Sequence, residues 1–364
     1  GRRPVFVVPD ELRSRSCLAD LTALLDSPIL LFRPRELNFT DAIAASRDLE
    51  LQRPAVLSAL LTDNFGAIIV TASALLQRLP PRQRFTERQR RLSSGGRFDP
   101  EELCTQLLLL GYERMRLVEA PGQFAKRGDI IDVVPPAADS ISKTGIRISF
   151  FDVEIDSIKE FDLETQRSQV MLSEVVIPPA REILIDPEER DLLADRILKA
   201  GQAAAREIMV NGENPETAEK IRVMTRRDSD RIANDVSVAG IDRYLDLVEP
   251  DAESLLSYLD PKRHLLVIEE PMRFRNRLDA AAAEYDERLR TMLLHGNALP
   301  LSAGAQLRTD DIGRLIDAYP RTIALSQIAA SGNGLPGAME ISINGRLAES
   351  FRGQEAKLAA MLAQ

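Results

Sequence analysis

The sequence predicts a mixed α/β chain in three parts: a parallel-sheet α/β part, a small β-rich part, and a return to helices and buried strands. Three observations carry that expectation. Strand and helix alternate from Pro4 to Leu79, the rhythm of a parallel sheet with helices on its faces. Short runs between Arg114 and Pro178 alternate polar and apolar residues, which suits antiparallel strands with one wet face. From Asp186 onward charged helical stretches resume, followed by isolated apolar strands. The expected divisions are residues 1–95, 96–178 and 179–364.

Taken in order, "PVFVVP" is a short buried strand, and Asp10 after it is placed to N-cap the helix "ELRSRSCLADLTALL". "PILLFRP" is a second strand. "TDAIAASRDLELQRPAVLSALL" reads as a helix broken or kinked near Pro54, because proline lacks the N–H that a helix interior needs. "GAIIVTA" is a third strand and "SALLQRL" a short helix. Residues 78–97 carry seven arginines against one glutamate, with Pro-Pro and Gly-Gly inside. They read either as a solvated linker or as a local phosphate-binding strip. "DPEELCTQLLLL" opens with an Asp-Pro pair suited to N-cap and N1 and stops at Gly111. The strands "RMRLVE", "QFA", "DIIDVVP", "IRISFFD" and "EIDSIKEFD" come next. Residues 186–235 read as long charged helices and "HLLVIEEP" as a buried strand ending in two carboxylates. "MRFRNRLDAAAAEYDERLRTMLLHG" is a helix closed by Gly296. "RTIALSQI" and "MEISING" are further strands, and "EAKLAAMLAQ" a terminal helix.

Composition bounds the function. The 364 residues are 44% apolar and 28% charged, ordinary for a globular chain of two or three domains. A net charge of −9 argues against a surface that grips nucleic acid as a whole, which is usually basic. Cys17 and Cys104 read as buried thiols in a reducing compartment. The two histidines, His264 and His295, neither beside a cysteine, give no metal site; no cofactor is expected. The N-terminal apolar run is too short for a signal peptide, and no run spans a bilayer. The expectation is therefore a soluble, cytoplasmic protein without membrane contact, in which the Asn38-Phe39-Thr40 glycosylation pattern has no consequence.

The parallel-sheet pattern invites a nucleotide site, but no Gly-Lys pair exists anywhere for a P-loop, and "SGNGLPG" lacks the lysine and reads as a loop. Glu269 and Glu270 end an apolar strand, where a motor ATPase places its magnesium-binding acid; without a P-loop lysine they read as a strand end without catalysis. Two histidines, neither in a local motif, support no Ser-His-Asp arrangement, and His264 reads as a packing or surface residue. The most informative stretch is "PGQFAKRGDIIDVVPP". Gly128 there calls for an unusual backbone angle or a close approach. If its strands pair with "IRISFFD", Arg127, Arg147 and one of Phe150 and Phe151 share an exposed face, a typical interface hot spot. The competing reading pairs both arginines with nearby acids such as Asp152 or Glu154.

These residues carry a resemblance. "GYERMRLVEAPGQFAKRGDIIDVVPP" followed by "IRISFFDVEIDSIKEFDLETQRS" resembles the second domain of UvrB, and more closely its counterpart in the UvrB-like N-terminal module of transcription-repair coupling factors. "RELNFTDAIAASRDLELQRPAVLSALL" and "LLSYLDPKRHLLVIEEPMRFRNR" resemble the parts on either side. The likeness is specific over residues 111–168 and loose over 186–250 and beyond 300. It implies a degenerate helicase-type (RecA-like) parallel-sheet core with an inserted small β-rich α+β domain. It also implies that this domain docks onto UvrA, the damage-recognition ATPase, through positions matching Arg127, Arg147 and Phe151, which favours the interface reading. Glu269 and Glu270 become a degenerate Walker B-like strand end. UvrB itself carries a P-loop and a tyrosine-rich β-hairpin; neither is visible, the five tyrosines being scattered, although a P-loop upstream of a chain that starts on a strand would not be seen.

The resemblance thus implies a non-catalytic adaptor that links stalled RNA polymerase to nucleotide excision repair. Its larger parent would add an RNA-polymerase-binding domain and a DNA translocase motor, and would mask the UvrA-binding face at rest. Two rivals remain: a UvrB-type ATP-dependent damage-verification helicase cut at its N-terminus, and a nucleic-acid-binding module using residues 78–97. DNA contact is expected to be weak at most.

Overall fold

The computed structural model describes residues 2–37, 39, 47–138, 143–212, 214–235, 238, 240–327, 339 and 341. The sequon's Asn38 and Thr40, the start of the expected second helix (residues 40–46), the expected loop "SGNGLPG" and the expected terminal helix lie outside them, as does the expected strand "MEISING" apart from Met339 and Ile341. Residues Gly1–Leu325 form one compact unit.

Strands β1 (Arg3–Val8), β2 (Ile29–Phe32) and β3 (Ala67–Thr71) are the expected parallel elements. Asp10 caps the intervening helix Glu11–Leu24, its carboxylate accepting from the Arg13 N–H. Every residue of β3 is buried, as a central parallel strand covered on both faces requires. The second helix runs from Arg47 to Leu61 with Pro54 inside it, so of the expected break or kink the break does not occur. Its neighbours Leu51, Ala55, Val56 and Leu57 are all buried, so packing outweighs the one hydrogen bond that Pro54 withholds.

Residues 78–97 are not a solvated linker. They hold a short helix, Arg82–Arg88, and a strand, β4 (Arg90–Ser93), and most of their guanidiniums are already engaged. Arg84 meets Asp186, Glu189 and Glu249; Arg88 meets Asp186 and Glu249; Arg78 meets Asp246 and the Gly304 carbonyl. The strip looked solvated because its acidic partners lie more than eighty residues away in sequence.

The β-rich part is a six-stranded sheet. Its strands are β5 (Glu113–Arg114), β6 (Gln123–Arg127), β7 (Ile130–Val134), β8 (Thr144–Phe151), β9 (Glu154–Asp162) and β10 (Ser168–Leu172), in the order β10-β9-β8-β7-β6-β5. All pairs are antiparallel except the short β5–β6. The expected strand "RMRLVE" shrinks to Glu113–Arg114, because the Gln123 side chain accepts the Glu119 and Ala120 N–H groups and closes that stretch as a loop. One face of the sheet packs Phe124, Ile131, Val133, Ile146, Ile148 and Phe150 against Leu103, Cys104 and Leu107 of the helix Pro100–Leu109. Strand β11 (Glu174–Ile177) pairs back with β4.

The chain then forms two long helices, Arg190–Val210 and Pro215–Ala233, packed on each other through Ile197, Ala205, Ala218 and Ile221. Strands β12 (His264–Glu269) and β13 (Thr322–Leu325) complete a parallel sheet in the order β13-β12-β1-β3-β2. The helix Pro271–Leu294 between them ends at Gly296, whose φ of +69° is the left-handed turn expected there. Cys17 and Cys104 are both buried and unbridged. His264 is a packing residue, stacked on Phe65 at 5.8 Å between ring centres.

Candidate functional site

The face of the β-rich sheet opposite its helix holds the predicted residues. Strand alternation decides this. Ile146, Ile148 and Phe150 point into the core, so Arg147, Ser149 and Phe151 point out. The register aligns Asp132 with Arg147 across β7–β8 and with Ala125 across β6–β7, which puts Arg127 on the same outer face. The tight β6–β7 hairpin turns over Gly128 and Asp129. Gly128 has φ +60°, the left-handed first position of a type II′ turn, and open space around it. The glycine is therefore required by backbone angle and not by crowding. The Asp129 carbonyl accepts the Phe150 N–H at 2.8 Å, which fixes this turn beside the end of β8.

Phe151 is 80% exposed, although phenylalanine normally seeks burial. Its backbone is held firmly: the next hairpin turns through Asp152, and the Phe98 N–H donates to the Val153 carbonyl. Exposed Ile130 on β7 and Met171 on β10 share this outer face. An apolar group presented on a rigid, hydrogen-bonded strand end is the usual form of a docking anchor.

Both arginines do pair with an acid, but it is Asp132 and not Asp152 or Glu154. Arg127 donates from Nη2 to Asp132 Oδ2 at 2.6 Å. Arg147 grips the same carboxylate twice, from Nε to Oδ1 at 2.7 Å and from Nη2 to Oδ2 at 3.0 Å. Its Nη1 reaches the Gln166 carbonyl at 3.2 Å and Ser168 Oγ at 3.3 Å. The guanidinium lies 4.7 Å above the Phe161 ring, and Gly145 leaves room for that ring, since a Cβ there would collide with it. Hydrogen bonding to Asp132 pushes the Arg147 pKa further up, against the effect of burial. The Asp132 side chain is 1% exposed, the Arg147 side chain 17% and the Arg127 side chain 51%. Sequence reasoning missed Asp132. The signal was an acid inside the apolar run "IIDVV", a placement that survives only when the carboxylate is paired.

Glu269 and Glu270 lie at the other end of the chain's chemistry. Glu269 ends β12 and accepts from Arg13 Nε on the helix after β1. Glu270 sits in the left-handed region, φ 47°, immediately before Pro271, and its N–H donates to the Leu325 carbonyl. A cleft of about 550 Å³ opens at this edge of the parallel sheet, lined by Asp10, Ser73, Arg273, Arg277 and Glu284 among others. The helix N-terminus facing it is closed by Asp10, which also accepts from Arg273 at 2.8 Å. The backbone N–H of Arg13 and this guanidinium hold the Asp10 carboxyl below its usual range. Among the described residues no group of three or more His, Cys, Asp or Glu is placed to hold a metal ion, and no described helix is long and apolar enough to cross a membrane.

Comparison with known proteins bears on the same residues. Residues 91–183 match the UvrB interaction domain. Over 299 residues the chain is 29% identical to the transcription-repair-coupling factor of Bacillus subtilis (strain 168), covering 82% of this chain and 25% of that protein. It is 27% identical over 306 residues to the transcription-repair-coupling factors of Staphylococcus aureus strains USA300 and NCTC 8325 / PS 47, covering 83% of this chain and 25% of each. The chain thus spans about a quarter of the length of these relatives.

Proposed function

Starting from that kinship with the N-terminal, UvrB-like module of transcription-repair-coupling factors, we propose that this chain is a non-catalytic adaptor that recruits UvrA and so links stalled RNA polymerase to nucleotide excision repair. The observation that carries the reading is the outer face of the UvrB interaction domain: an 80% exposed Phe151 on a rigid strand end, beside a half-exposed Arg127. An aromatic anchor flanked by a guanidinium is the composition of an interface hot spot. The cationic neighbour calls for an acidic patch on UvrA, which raises the encounter rate as well as the affinity. Partners beyond UvrA would be the polymerase-binding and motor parts of a longer protein, in the cytoplasm.

The same reading makes the parallel-sheet part a retained scaffold. A nucleotide phosphate seeks the free N–H groups and positive end of a helix N-terminus. Here a carboxylate, Asp10, caps that position, and Arg13 is spent on Glu269. Both features support a Walker B-like strand end that no longer serves ATP hydrolysis.

The test is binding of the purified chain to purified UvrA, wild type against Arg127→Ala with Phe151→Ala. Wild-type binding that the folded double variant loses supports the adaptor. Wild-type chain that fails to bind UvrA, or that hydrolyses ATP in the presence of DNA, overturns it in favour of a helicase.

A further inference from the structure

We propose that Asp132 is the positioning residue of this interface, that it fixes the guanidinium of Arg127 for contact, and that Arg147 is the strut holding Asp132 in place. The inference rests on the UvrA-docking reading above and divides labour among residues that the sequence treats alike.

The division follows from where each nitrogen goes. All three nitrogens of Arg147 are engaged inside the domain, with Asp132, the Gln166 carbonyl and Ser168, and Phe161 packs under the guanidinium. With its side chain 17% exposed, Arg147 has little left to offer a partner. Arg127 spends only Nη2 on Asp132; its Nε and Nη1 make no hydrogen bond among the described residues, and half of its side chain faces solvent. An unpinned arginine at a hairpin tip would lose side-chain freedom on docking, and pinning one end in advance lowers that cost.

Charge gives the partner's chemistry. Two guanidiniums and one carboxylate leave one net positive charge, and the exposed share of it sits on Arg127. The complementary group is a carboxylate of the partner, which a guanidinium binds through charge-assisted hydrogen bonds. Asp132 thus orients the N–H groups that meet that carboxylate without touching it.

The experiment is a double-mutant cycle read by UvrA binding to the full chain: Asp132→Asn, Arg127→Ala and the pair. Asp132→Asn is expected to weaken UvrA binding by at least about tenfold, with no further loss when Arg127→Ala is already present. Effects that add, or a folded Asp132→Asn chain that binds like wild type, overturn the inference. Should Asp132→Asn fail to fold, Arg147→Lys carries the same cycle, because it keeps the charge and loses the two-point grip. A readout independent of UvrA separates the two readings. The Arg127 side-chain 15Nε signal should be motionally restricted in the wild-type chain and mobile in the Asp132 or Arg147 variant. If UvrA does not bind but this restriction is present and lost on substitution, docking falls and positioning stands. If the signal is mobile in wild type, positioning falls.

Discussion

Phe151 and His264 show how one residue's surroundings set what its removal does. Phe151 has almost no packing to lose, being 80% exposed. Phe151→Ala should therefore leave the stability within about 0.5 kcal/mol of wild type, while costing about 2 kcal/mol or more in UvrA affinity. A loss of both would mark it as a structural residue. His264 is the opposite case. It is buried and stacked on Phe65, and its Nδ1 lies 2.9 Å from the Asp260 carbonyl. A carbonyl only accepts, so Nδ1 carries the proton and Nε2 is left buried without a partner. Burial pushes the His264 pKa below its ordinary 6.5. In the unfolded chain the ring takes up a proton as pH falls through 6.5, and in the folded chain it does so only at a lower pH. Its contribution is thus fully present above that pH and is lost as pH falls toward the lower folded value. Melting midpoints followed from about pH 7.5 to 5.5 should fall, and should fall less in His264→Phe, which keeps the stack and removes the titration.

At the scale of elements, what was legible was local and what was missed was distant. The β6–β7 hairpin could be read because its glycine and its alternating apolar residues signal turn and strand within ten residues. The parallel-sheet helix that starts at the Asp10 cap and the one that stops at Gly296 could be read for the same reason. Strand β4 could not, because "RRLS" is a strand only by virtue of β11, eighty residues later. The partner of Arg147 was likewise misassigned: Asp152 and Glu154 are nearer to it along the chain, but Asp132 is the residue that the β7–β8 register places opposite it, whereas for Arg127 the missed acid lies only five residues on. The hairpin turn itself gives a prediction. Gly128 needs φ +60° with no atom within 4 Å of a new Cβ, so Gly128→Ala should cost about 1 kcal/mol through backbone strain alone. The check is thermal melting together with UvrA binding. A neutral effect on stability would mean that the turn relaxes, and UvrA affinity would then report whether Arg127 moved with it.

Over the whole unit, the segments that sequence reading treats as separate are held together by buried ion pairs. Glu182 lies on the stretch leaving β11. It accepts from Arg53 on the helix Arg47–Leu61 and from Arg35 after β2, and Arg35 in turn meets Asp242 at 2.6 Å. All four side chains are largely buried. Burial alone would push the Glu182 carboxyl up, but Arg53 and Arg35 outweigh it and hold it below the usual range. The burial decides the energetics. An exposed pair such as Arg91–Glu174, both more than half exposed, contributes about 0–1 kcal/mol. Removing one member of a buried pair strands a charge in the interior and costs about 3–5 kcal/mol. Glu182→Gln should therefore destabilise the chain severely in denaturant titration, where Glu174→Gln changes little. The acid side gives an independent sign. With its folded pKa depressed below 4.5, Glu182 contributes stability above that pH and loses it as pH falls through the folded value. The wild-type chain should lose more stability on acidification below about pH 4.5 than Glu182→Gln does. Equal acid sensitivity of the two chains would show that the four-residue network does not join the end of the β-rich sheet to the parallel core.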